Sequence, residues 1–288
     1  MIAVCITTYN HQSYIAQAIE SVQAQVCDEP IRIYIGDDAS TDGTSAMCER
    51  YAAQDKRIIY VRNKSNCGLV NNTLSLYERI IADGCEFIAM LDGDDYWTEP
   101  KKLQLQVDYL RAHPEMGFVH TAAYEWKDGE LLAVDSPDKP TGDLSRTYGA
   151  HGAWHTNSTV LFRTVLLQKN MLDAIRQQQF LVLDYPLYGV FAQQTQFGYI
   201  HQYTATWRRH ASVSQPSSIS TFLRYQYHYA RAWHWLEKQY PNRFQFRWYK
   251  VIGWYCWQVF YAVIHFCKVY FAKKCNKICT FAKKVVSL

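Results

Sequence analysis

Three carboxylates stand together directly after a run of apolar residues. The stretch MLDGDDYW, residues 90–97, contains Asp92, Asp94 and Asp95. Like charges at this spacing repel each other, and in a partly desolvated site one of them takes up a proton unless a cation lies between them. Carboxylate oxygens suit Mg²⁺ or Mn²⁺, which keep bound water and also bind substrate phosphates. The cluster therefore predicts a divalent metal site; the alternative is a solvated turn, because Asp and Gly favour turns.

A second acidic stretch, DDASTDGTSAMCE (37–49), allows a different function. Its residues at positions 1, 3, 5, 6 and 12 match those of an EF-hand calcium loop: Asp38, Ser40, Asp42, Gly43 and Glu49. This match would make the chain a calcium-binding module. An EF-hand loop follows a helix, however, and the run IRIYIG (31–36) before this stretch is β-branched and favours a strand.

The first ninety residues alternate the periodicities of strands and helices, which is typical of an α/β fold with a parallel sheet. Apolar runs predict strands at 2–7, 31–36, 57–61 and 86–91. Helical spacing predicts helices after Ser13, after Thr41, over about 69–81, and from Thr98 or Glu99 with Pro100 in the first turn. The strands are short and apolar throughout, so both faces of the sheet should be buried.

Polar residues follow each of the four predicted strands. They are Thr7, Thr8, Tyr9 and Asn10, then Asp37 and Asp38, then Arg62 and Asn63, and finally Asp92 and Asp94. The carboxyl ends of parallel strands share one edge, and in open α/β sheets ligands bind in the crevice at that edge. The acidic cluster is therefore predicted to line a ligand crevice.

Composition limits the class of protein. The chain has 288 residues, 49% of them hydrophobic, which is enough for a sizeable core. Its nine cysteines are odd in number and show no CxxC pair, so we expect reduced thiols in a cytoplasmic protein. The strand predicted at the amino terminus leaves no room for a signal peptide.

Basic charge is concentrated at the carboxyl end of the sequence. Residues 241–288 contain nine Lys or Arg and no acidic residue, which leaves 21 basic against 26 acidic residues in 1–240. The aromatic stretch 251–267 is shorter than the ~20 residues that span a bilayer. It fits a helix lying on an anionic membrane surface, or a helix packed on the rest of the chain with solvated lysines. The acidic balance of the remainder argues against nucleic acid as a partner.

Four motifs in this order resemble family 2 glycosyltransferases with the A-type nucleotide-sugar fold. They are CITTYNHQSYIAQAIESVQAQ (5–25), IGDDASTDGT (35–44), NCGLVNN (66–72) and MLDGDDYWTEPKKLQLQVDYL (90–110). The resemblance is strong over residues 1–115 and weaker over 150–212. It implies a Rossmann-like, mostly parallel sheet in a catalytic domain, 1–215, followed by a helical, aromatic-rich and basic region, 216–288.

The resemblance implies a role for the polar residues at the strand ends. Thr7 and Tyr9 would line a nucleobase pocket, and Asp38 would accept a hydrogen bond from the base, most often uracil. Asp92 would contact the ribose or the water shell of the metal, and Asp94 would ligate Mn²⁺ or Mg²⁺ at the diphosphate. Members of the family often have an Arg near the NxGxxxxxN stretch, and this Arg contacts the nucleotide. The corresponding residues here, NCGLVNN (66–72), contain no Arg, so the identity of the nucleotide stays open.

A later segment implies a catalytic base. The stretch LVLDYPLY (181–188) resembles the family segment in which an acidic residue deprotonates the acceptor hydroxyl, and that residue would be Asp184. Many relatives have two acidic residues there, and Leu183 occupies the first position. The alternative is that Asp184 caps a helix before Pro186.

Three further segments have either a role implied by the resemblance or an alternative interpretation. In WRRH (207–210), Arg208 would contact a phosphate oxygen and His210 the metal or diphosphate; the alternative is a basic surface turn. HTNSTVLFR (155–163) matches a strand on the acceptor side, so His155 and Asn157 would face the acceptor. HGAWH (151–155) pairs two histidines, but no third ligand for zinc can be identified.

Together these features predict a metal-assisted transfer of sugar from a nucleotide-diphosphate sugar to a glycan or lipid-linked acceptor. The resemblance to the family implies inversion at the anomeric carbon and favours UDP as the nucleotide. The expected setting is bacterial surface-polysaccharide synthesis at the cytoplasmic face of the membrane. A non-catalytic nucleotide or sugar binder is one alternative. A nucleotidyltransferase is another, but it would usually have a Gly-rich phosphate loop bearing Lys or Arg after the first strand, and TTYNHQS (7–13) has neither feature.

Overall fold

A computed structural model of the protein describes residues 1–135, 137–148, 155–209 and 219–244. Three of the sequence predictions concern residues outside these ranges. They are the metal contact of His210, the zinc alternative at His151, and the membrane contact of the stretch 251–267.

Four parallel strands form the first half of the sheet, in the order β3-β2-β1-β4: β1 (Ile2–Thr8), β2 (Ile31–Asp37), β3 (Ile58–Arg62) and β4 (Phe87–Asp92). Each predicted strand is confirmed to within one residue at both ends. The helices between them are α1 (Ile15–Gln23), α2 (Thr44–Gln54) and α3 (Leu69–Ala82). This alternation brings the carboxyl ends of β1, β2 and β4 to one edge.

The second half of the sheet is mixed. It contains β5 (Tyr96–Trp97), β6 (Met116–Lys127), β7 (Glu130–Ala133), β8 (Leu161–Arg163) and β9 (Gln196–Arg208). In the described residues the sheet continues from β4 as β8-β6-β9-β5, and β7 pairs with β6. Every antiparallel pair includes one of the short strands β5, β7 and β8, whereas the long strands β6 and β9 are parallel. The predicted fold class, α/β with a mostly parallel sheet, is confirmed.

Two local predictions were wrong. The helix expected from Thr98 or Glu99 is α4 (Lys102–Ala112), because the backbone N–H groups of Thr98 and Glu99 donate to the Thr204 carbonyl and keep this segment extended beside β9. The strand expected over 155–163 is a 3₁₀ turn (Asn157–Thr159) followed by β8.

Both faces of the sheet are buried, as the apolar strands predicted. In β1 the side chains alternate: Ile2, Val4 and Ile6 pack with α1 and α4 on one face. Ala3 and Cys5 face the other side, where α3 and the later helices pack. The cysteines within the described residues are all free thiols.

Three later helices cover the second face: α5 (Lys169–Gln178), α6 (Asp184–Phe191) and α7 (Ile219–Gln239). The side chains of Trp233 and Leu236 in α7 are buried in the core. A Cβ atom at Gly189 of α6 would lie 2.5 Å from Leu236 Cδ1, so glycine permits this close helix packing. Among the described helices, none combines the length and apolarity that crossing a membrane requires.

Candidate active site at the carboxyl edge of the sheet

A tight turn after β4 presents the acidic cluster. Gly93 N–H donates to the Thr7 carbonyl of β1 at 2.9 Å, and Asp95 N–H donates to the Asp92 carbonyl at 2.9 Å. A Cβ atom at Gly93 would lie 2.9 Å from Thr8 Oγ1 and 3.0 Å from His11 Nδ1. Only glycine allows the loops after β1 and β4 to approach this closely. The glycine of the motif therefore brings the acidic cluster against the loop after β1.

The 3₁₀ turn at 157–159 holds two of the three carboxylates. Asn157 Nδ2 donates to Asp92 Oδ1 at 3.0 Å, and Ser158 Oγ donates to Asp95 Oδ2 at 2.6 Å. Ser158 Oγ also accepts the Asp92 backbone N–H at 3.2 Å. These partners lie more than sixty positions away in the chain, so the sequence alone gave no indication of them.

Asp94 has a different environment from its neighbours. Its Oδ2 lies 3.8 Å from His11 Nε2, and the two side chains are 16% and 18% exposed. Asp95, by contrast, is only 1% exposed. His11 was not among the predicted site residues, although its position immediately after the polar end of β1 indicated that it lies near the site. Asp92, Asp94 and His11 are thus partly solvent-accessible, whereas Asp95 is not.

The electrostatic conflict expected from the sequence is present. Burial, the charge of Asp94 and the charge of Asp184 raise the pKa of Asp92 to about 7, although the Asn157 hydrogen bond acts in the opposite direction. Burial, followed by the charges of Asp94 and Asp92, raises the pKa of Asp95 well above its ordinary value. Negative charge at this edge is therefore costly in the ligand-free protein, and a cation would relieve that cost.

The donor set fits one kind of metal site. Within the described ranges, no three His, Cys, Asp or Glu side chains converge as a complete metal site would require. The partly accessible Asp94 and the neighbouring Asp92 nevertheless supply hard oxygen donors beside a crevice. Such a set fits a divalent ion that takes its remaining ligands from water and substrate phosphates.

Asp38 organises the neighbouring loop at the start of α3. Its carboxylate accepts the backbone N–H groups of Cys67 and Gly68, both at 2.8 Å, and the Asn63 amide at 2.9 Å. Gly68 has φ +85°, a conformation that favours glycine. The NCG motif is thereby fixed beside Asp38.

The calcium-loop alternative is wrong. A strand, β2, precedes the acidic stretch instead of the helix that an EF-hand needs. Asp38 is bound to the loop at Cys67 and Gly68, as described above, and Asp42 accepts the Thr44 backbone N–H at the start of α2 at 2.9 Å. The two carboxylates therefore serve separate structural contacts.

The loops after β1 and β2 are joined to each other. Asn10 N–H donates to Ser40 Oγ at 2.9 Å, and Asn10 Oδ1 accepts the Thr41 backbone N–H at 2.8 Å. Thr7, at the end of β1, is 4% exposed, whereas Tyr9 is 39% exposed. The predicted nucleobase residues Thr7, Tyr9 and Asp38 thus occupy adjacent strand ends, and Tyr9 is the most accessible of them.

Asp184 is the first residue of α6. Leu183 occupies the N-cap position, so the alternative of Asp184 as the N-cap is wrong. The Oδ1 atom of Asp184 accepts the Tyr185 backbone N–H at 2.8 Å. Burial raises the pKa of Asp184 above its ordinary value. The charge of Asp184 also raises the pKa of Asp92.

Arg208, at the end of β9, holds the acidic loop (residues 92–95) in place through hydrogen bonds. Its Nη1 donates to the Asp94 carbonyl at 2.6 Å, its Nη2 donates to Gln17 of α1, and its backbone N–H donates to Asp95 Oδ1 at 3.0 Å. The guanidinium carbon also lies 4.4 Å from the centre of the Tyr96 ring. The side chain is 8% exposed. The alternative of a basic surface turn therefore does not apply to Arg208.

The two predicted acceptor residues have contrasting environments. His155 is 6% exposed, and its ring packs against Phe118 and Tyr188 at centroid distances of 5.4 and 4.9 Å. The Asn157 amide lies at the edge of the sheet, but it is bonded to Asp92 and to Tyr188 Oη. Their acceptor contact remains a prediction.

Solved structures share this fold. Staphylococcus aureus TarS 1–349 in complex with UDP-GlcNAc superposes with a TM-score of 0.56 over 80% of this chain and 66% of that chain, at 18% sequence identity. The mannosyltransferase PcManGT of Pyrobaculum calidifontis, in complex with GDP-Man and Mn²⁺, gives a TM-score of 0.55 over 82% and 64%, at 15% identity.

Sequence relatives extend over most of the chain. An uncharacterized protein of Mycobacterium tuberculosis is 29% identical over 215 residues, which are 71% of this chain and 57% of the relative. An uncharacterized glycosyltransferase of Methanocaldococcus jannaschii is 25% identical over 244 residues, 83% of this chain and 81% of the relative. The chain thus spans little more than half the length of the mycobacterial relative.

The family model described as Glycosyl transferase family 2 matches residues 3–166. This region contains β1 to β4, the acidic cluster and the turn that holds it. The chain belongs to glycosyl transferase family 2.

Proposed function

We propose that the chain is an inverting glycosyltransferase that moves a sugar from a nucleotide-diphosphate sugar, with UDP favoured, to a hydroxyl of a glycan or lipid-linked acceptor. The observation that carries this proposal is the acidic cluster at the carboxyl edge of the sheet, where the tight turn at Gly93 brings Asp92 and Asp94 against the loop after β1. Family membership supports it. Solved neighbours in complex with UDP-GlcNAc and GDP-Man support a sugar nucleotide as donor.

The strand ends of β1 and β2 would bind the nucleotide. Thr7 and the accessible Tyr9 line the base, and Asp38 accepts an N–H from it. Asp38 Oδ2 accepts one bond from the loop at Gly68 among the described residues, and a carboxylate oxygen has capacity for another. This acceptor-only side chain favours a base that presents an N–H, as uracil does. Asp92 then lies on the ribose side of the crevice.

A divalent ion would be held by Asp94, with His210 and the diphosphate completing its ligands. Mn²⁺ or Mg²⁺ in that place would neutralise the negative charge that develops on the leaving diphosphate. The raised pKa of Asp92 supports a cation there, because a positive charge would let the neighbouring carboxylates ionise together. Arg208 keeps the acidic loop in place through the Asp94 carbonyl.

Asp184 would serve as the general base. It removes the proton of the acceptor hydroxyl, and the oxygen then attacks the anomeric carbon from the face opposite the leaving diphosphate, which inverts the configuration. A carboxylate with a raised pKa is a better proton acceptor than an ordinary one, and burial supplies that rise here. His155 and Asn157 border the same region on the acceptor side.

Ligand binding tests the donor assignment. UDP, UDP-GlcNAc, GDP and GDP-Man are each added to the full chain with Mn²⁺ and, separately, with a chelator, and the melting temperature is recorded. We expect a uridine ligand with Mn²⁺ to raise the melting temperature most, because binding only to the folded state stabilises it. If no nucleotide shifts the melting temperature, the proposed function is wrong.

The variant Asp184→Asn tests the base. We expect transfer from the stabilising donor, followed with a radiolabelled sugar, to fall by roughly 100- to 10,000-fold, while the donor dissociation constant stays unchanged. Asp173→Asn, which changes a partly exposed carboxylate on α5, is the control and should transfer at the wild-type rate. Unchanged turnover of Asp184→Asn would remove this residue from the mechanism.

The carboxyl-terminal sequence supports the proposed acceptor and location. The region from residue 241 has nine basic and no acidic residues, and its aromatic stretch suits the headgroup layer of an anionic leaflet. A peripheral position on the cytoplasmic face of the membrane would bring the crevice to a lipid-linked acceptor.

A further inference from the structure

A chain of hydrogen bonds joins Asp92 to the helix that begins with Asp184. Asn157 Nδ2 donates to Asp92 Oδ1 at 3.0 Å, and Tyr188 Oη donates to Asn157 Oδ1 at 2.8 Å. Tyr188 is 1% exposed. Asp184 and Tyr188 are four residues apart in α6, which places them on one face of the helix. One side-chain amide therefore connects the proposed donor carboxylate to the helix of the proposed base.

The orientation of that amide is set from both ends. An asparagine side chain has an accepting oxygen and a donating nitrogen, whereas a carboxylate only accepts. The Tyr188 hydroxyl donates to the Asn157 oxygen and so turns the Asn157 nitrogen toward Asp92. The opposite orientation would place two oxygens against each other at Asp92. The hydroxyl thus determines whether Asn157 supports or repels the Asp92 carboxylate.

We propose that Tyr188 is a positioning residue for the donor site: its hydroxyl fixes Asn157, which holds Asp92 facing the crevice. The inference rests on the proposed function of Asp92 in donor binding. Without the hydroxyl, the Asn157 amide rotates, and Asp92 loses one of the two side-chain partners it has among the described residues and keeps only Thr7. Tyr188 itself touches no substrate, so its effect passes entirely through Asn157.

A double-mutant cycle on the full chain tests this assignment. The dissociation constants of UDP and of GDP, each with Mn²⁺, are measured by calorimetry for wild type, Tyr188→Phe, Asn157→Ala and the double variant. We expect Tyr188→Phe to weaken the better-binding nucleotide about fivefold, the effect of one lost hydrogen bond. In the Asn157→Ala background the same change should have no further effect, because its route to Asp92 is already gone.

Tyr77→Phe is the matched control. Tyr77 is also 1% exposed, but its hydroxyl bonds to Met90 Sδ at 3.1 Å and takes no part in the chain to Asp92. It should bind nucleotide within twofold of wild type even if its melting temperature falls. A merely structural role for Tyr188 would likewise lower the melting temperature and leave the dissociation constant unchanged.

The outcomes separate the two proposals. If wild type binds nucleotide and the Tyr188→Phe variant binds it equally well, the positioning role is wrong and the proposed function stands. The same conclusion follows if Tyr188→Phe weakens binding by the same factor in the wild-type and Asn157→Ala backgrounds. If wild type binds neither nucleotide, both are overturned.

Discussion

At the scale of single residues, adjacent aspartates of the same motif have different environments. Asp95 is buried and bonded to Ser158 and to the Arg208 backbone, Asp94 faces His11, and Asp92 is bonded to Asn157. The sequence could predict that the carboxylates meet at the sheet edge, because that follows from strand pattern alone. It predicted Asn157 as an acceptor residue but could not predict that Asn157 and Ser158 bond to these carboxylates, since contacts between distant segments depend on tertiary packing.

Replacing Asp92 should stabilise the ligand-free protein at alkaline pH. The folded-state pKa of Asp92, about 7, lies above the ordinary carboxyl value, so the folded protein binds this proton more tightly than the unfolded chain. Stability from this group is present at low pH and is lost as the pH rises toward and through 7. Asp92→Asn cannot ionise, so its melting temperature should gain on wild type as the pH rises from about 4 to about 7, and the gain should level off above that.

The measurement is thermal unfolding in metal-free buffer at each pH. Asp28→Asn, which changes an exposed carboxylate, serves as the control and should follow the wild-type curve. Parallel curves for Asp92→Asn and wild type would contradict the raised pKa.

Asp184 should give the transfer reaction an acid limb. A general base acts when deprotonated, and burial raises the pKa of Asp184, the proposed base. As the pH is lowered, turnover should therefore begin to fall at a higher pH than it would with an ordinary carboxyl group. The profile of kcat against pH, at saturating donor, checks this. Loss of turnover only below pH 4 would show that no such base controls the rate.

At the scale of elements, the acidic loop is held by segments far from it in sequence. The short strand β5 pairs with β9, and Arg208 at the end of β9 donates to the Asp94 carbonyl. Local helix signals at Thr98 and Pro100 therefore failed to predict where α4 begins. The first four strands were predictable because their apolar patterns are local, whereas β5 exists only through its partner.

Arg208→Ala should destabilise the protein without any ligand. The change removes two charged hydrogen bonds and the stacking on Tyr96, which we expect to lower the free energy of unfolding by about 2–3 kcal/mol. Urea unfolding of the ligand-free protein measures it. Arg209→Ala, with a partly exposed side chain, is the control and should lose less than about 1 kcal/mol. Weaker nucleotide binding with unchanged stability would instead favour a direct phosphate contact.

At the scale of the whole molecule, α7 belongs to the folded core. Trp233 and Leu236 are buried, and Leu236 lies against Gly189 of α6. The sequence predicted a division of the chain into two regions, 1–215 and 216–288, and that division stays a prediction. The helix over residues 219–239 packs on the core of the first region. The aromatic spacing beyond residue 220 indicated a helix, but it could not indicate the surface on which the helix packs.

Shortened chains test the roles of the carboxyl-terminal region. A chain ending at residue 244 should keep the wild-type melting temperature, whereas one ending at 215 should unfold at lower temperature because α7 is lost. Sedimentation with phosphatidylglycerol vesicles should recover at least about ten times more of the full chain than of the chain ending at 244. The reason is that each basic residue near an anionic surface contributes roughly 1 kcal/mol of attraction. Neutral phosphatidylcholine vesicles are the control. Equal recovery of both chains would contradict membrane contact through this region.

The attachment of Arg208 to the Asp94 loop has a consequence for synthesis on the ribosome. The parallel strands β1 to β4 are complete by residue 92, yet the loop that follows them gains its contacts with Arg208 only when β9 has emerged, more than a hundred residues later. Long-range contacts of this kind form late, because chain closure must precede them. A nascent chain stalled before β9 would contain all four sequence motifs and still lack the Arg208 contacts to the acidic loop.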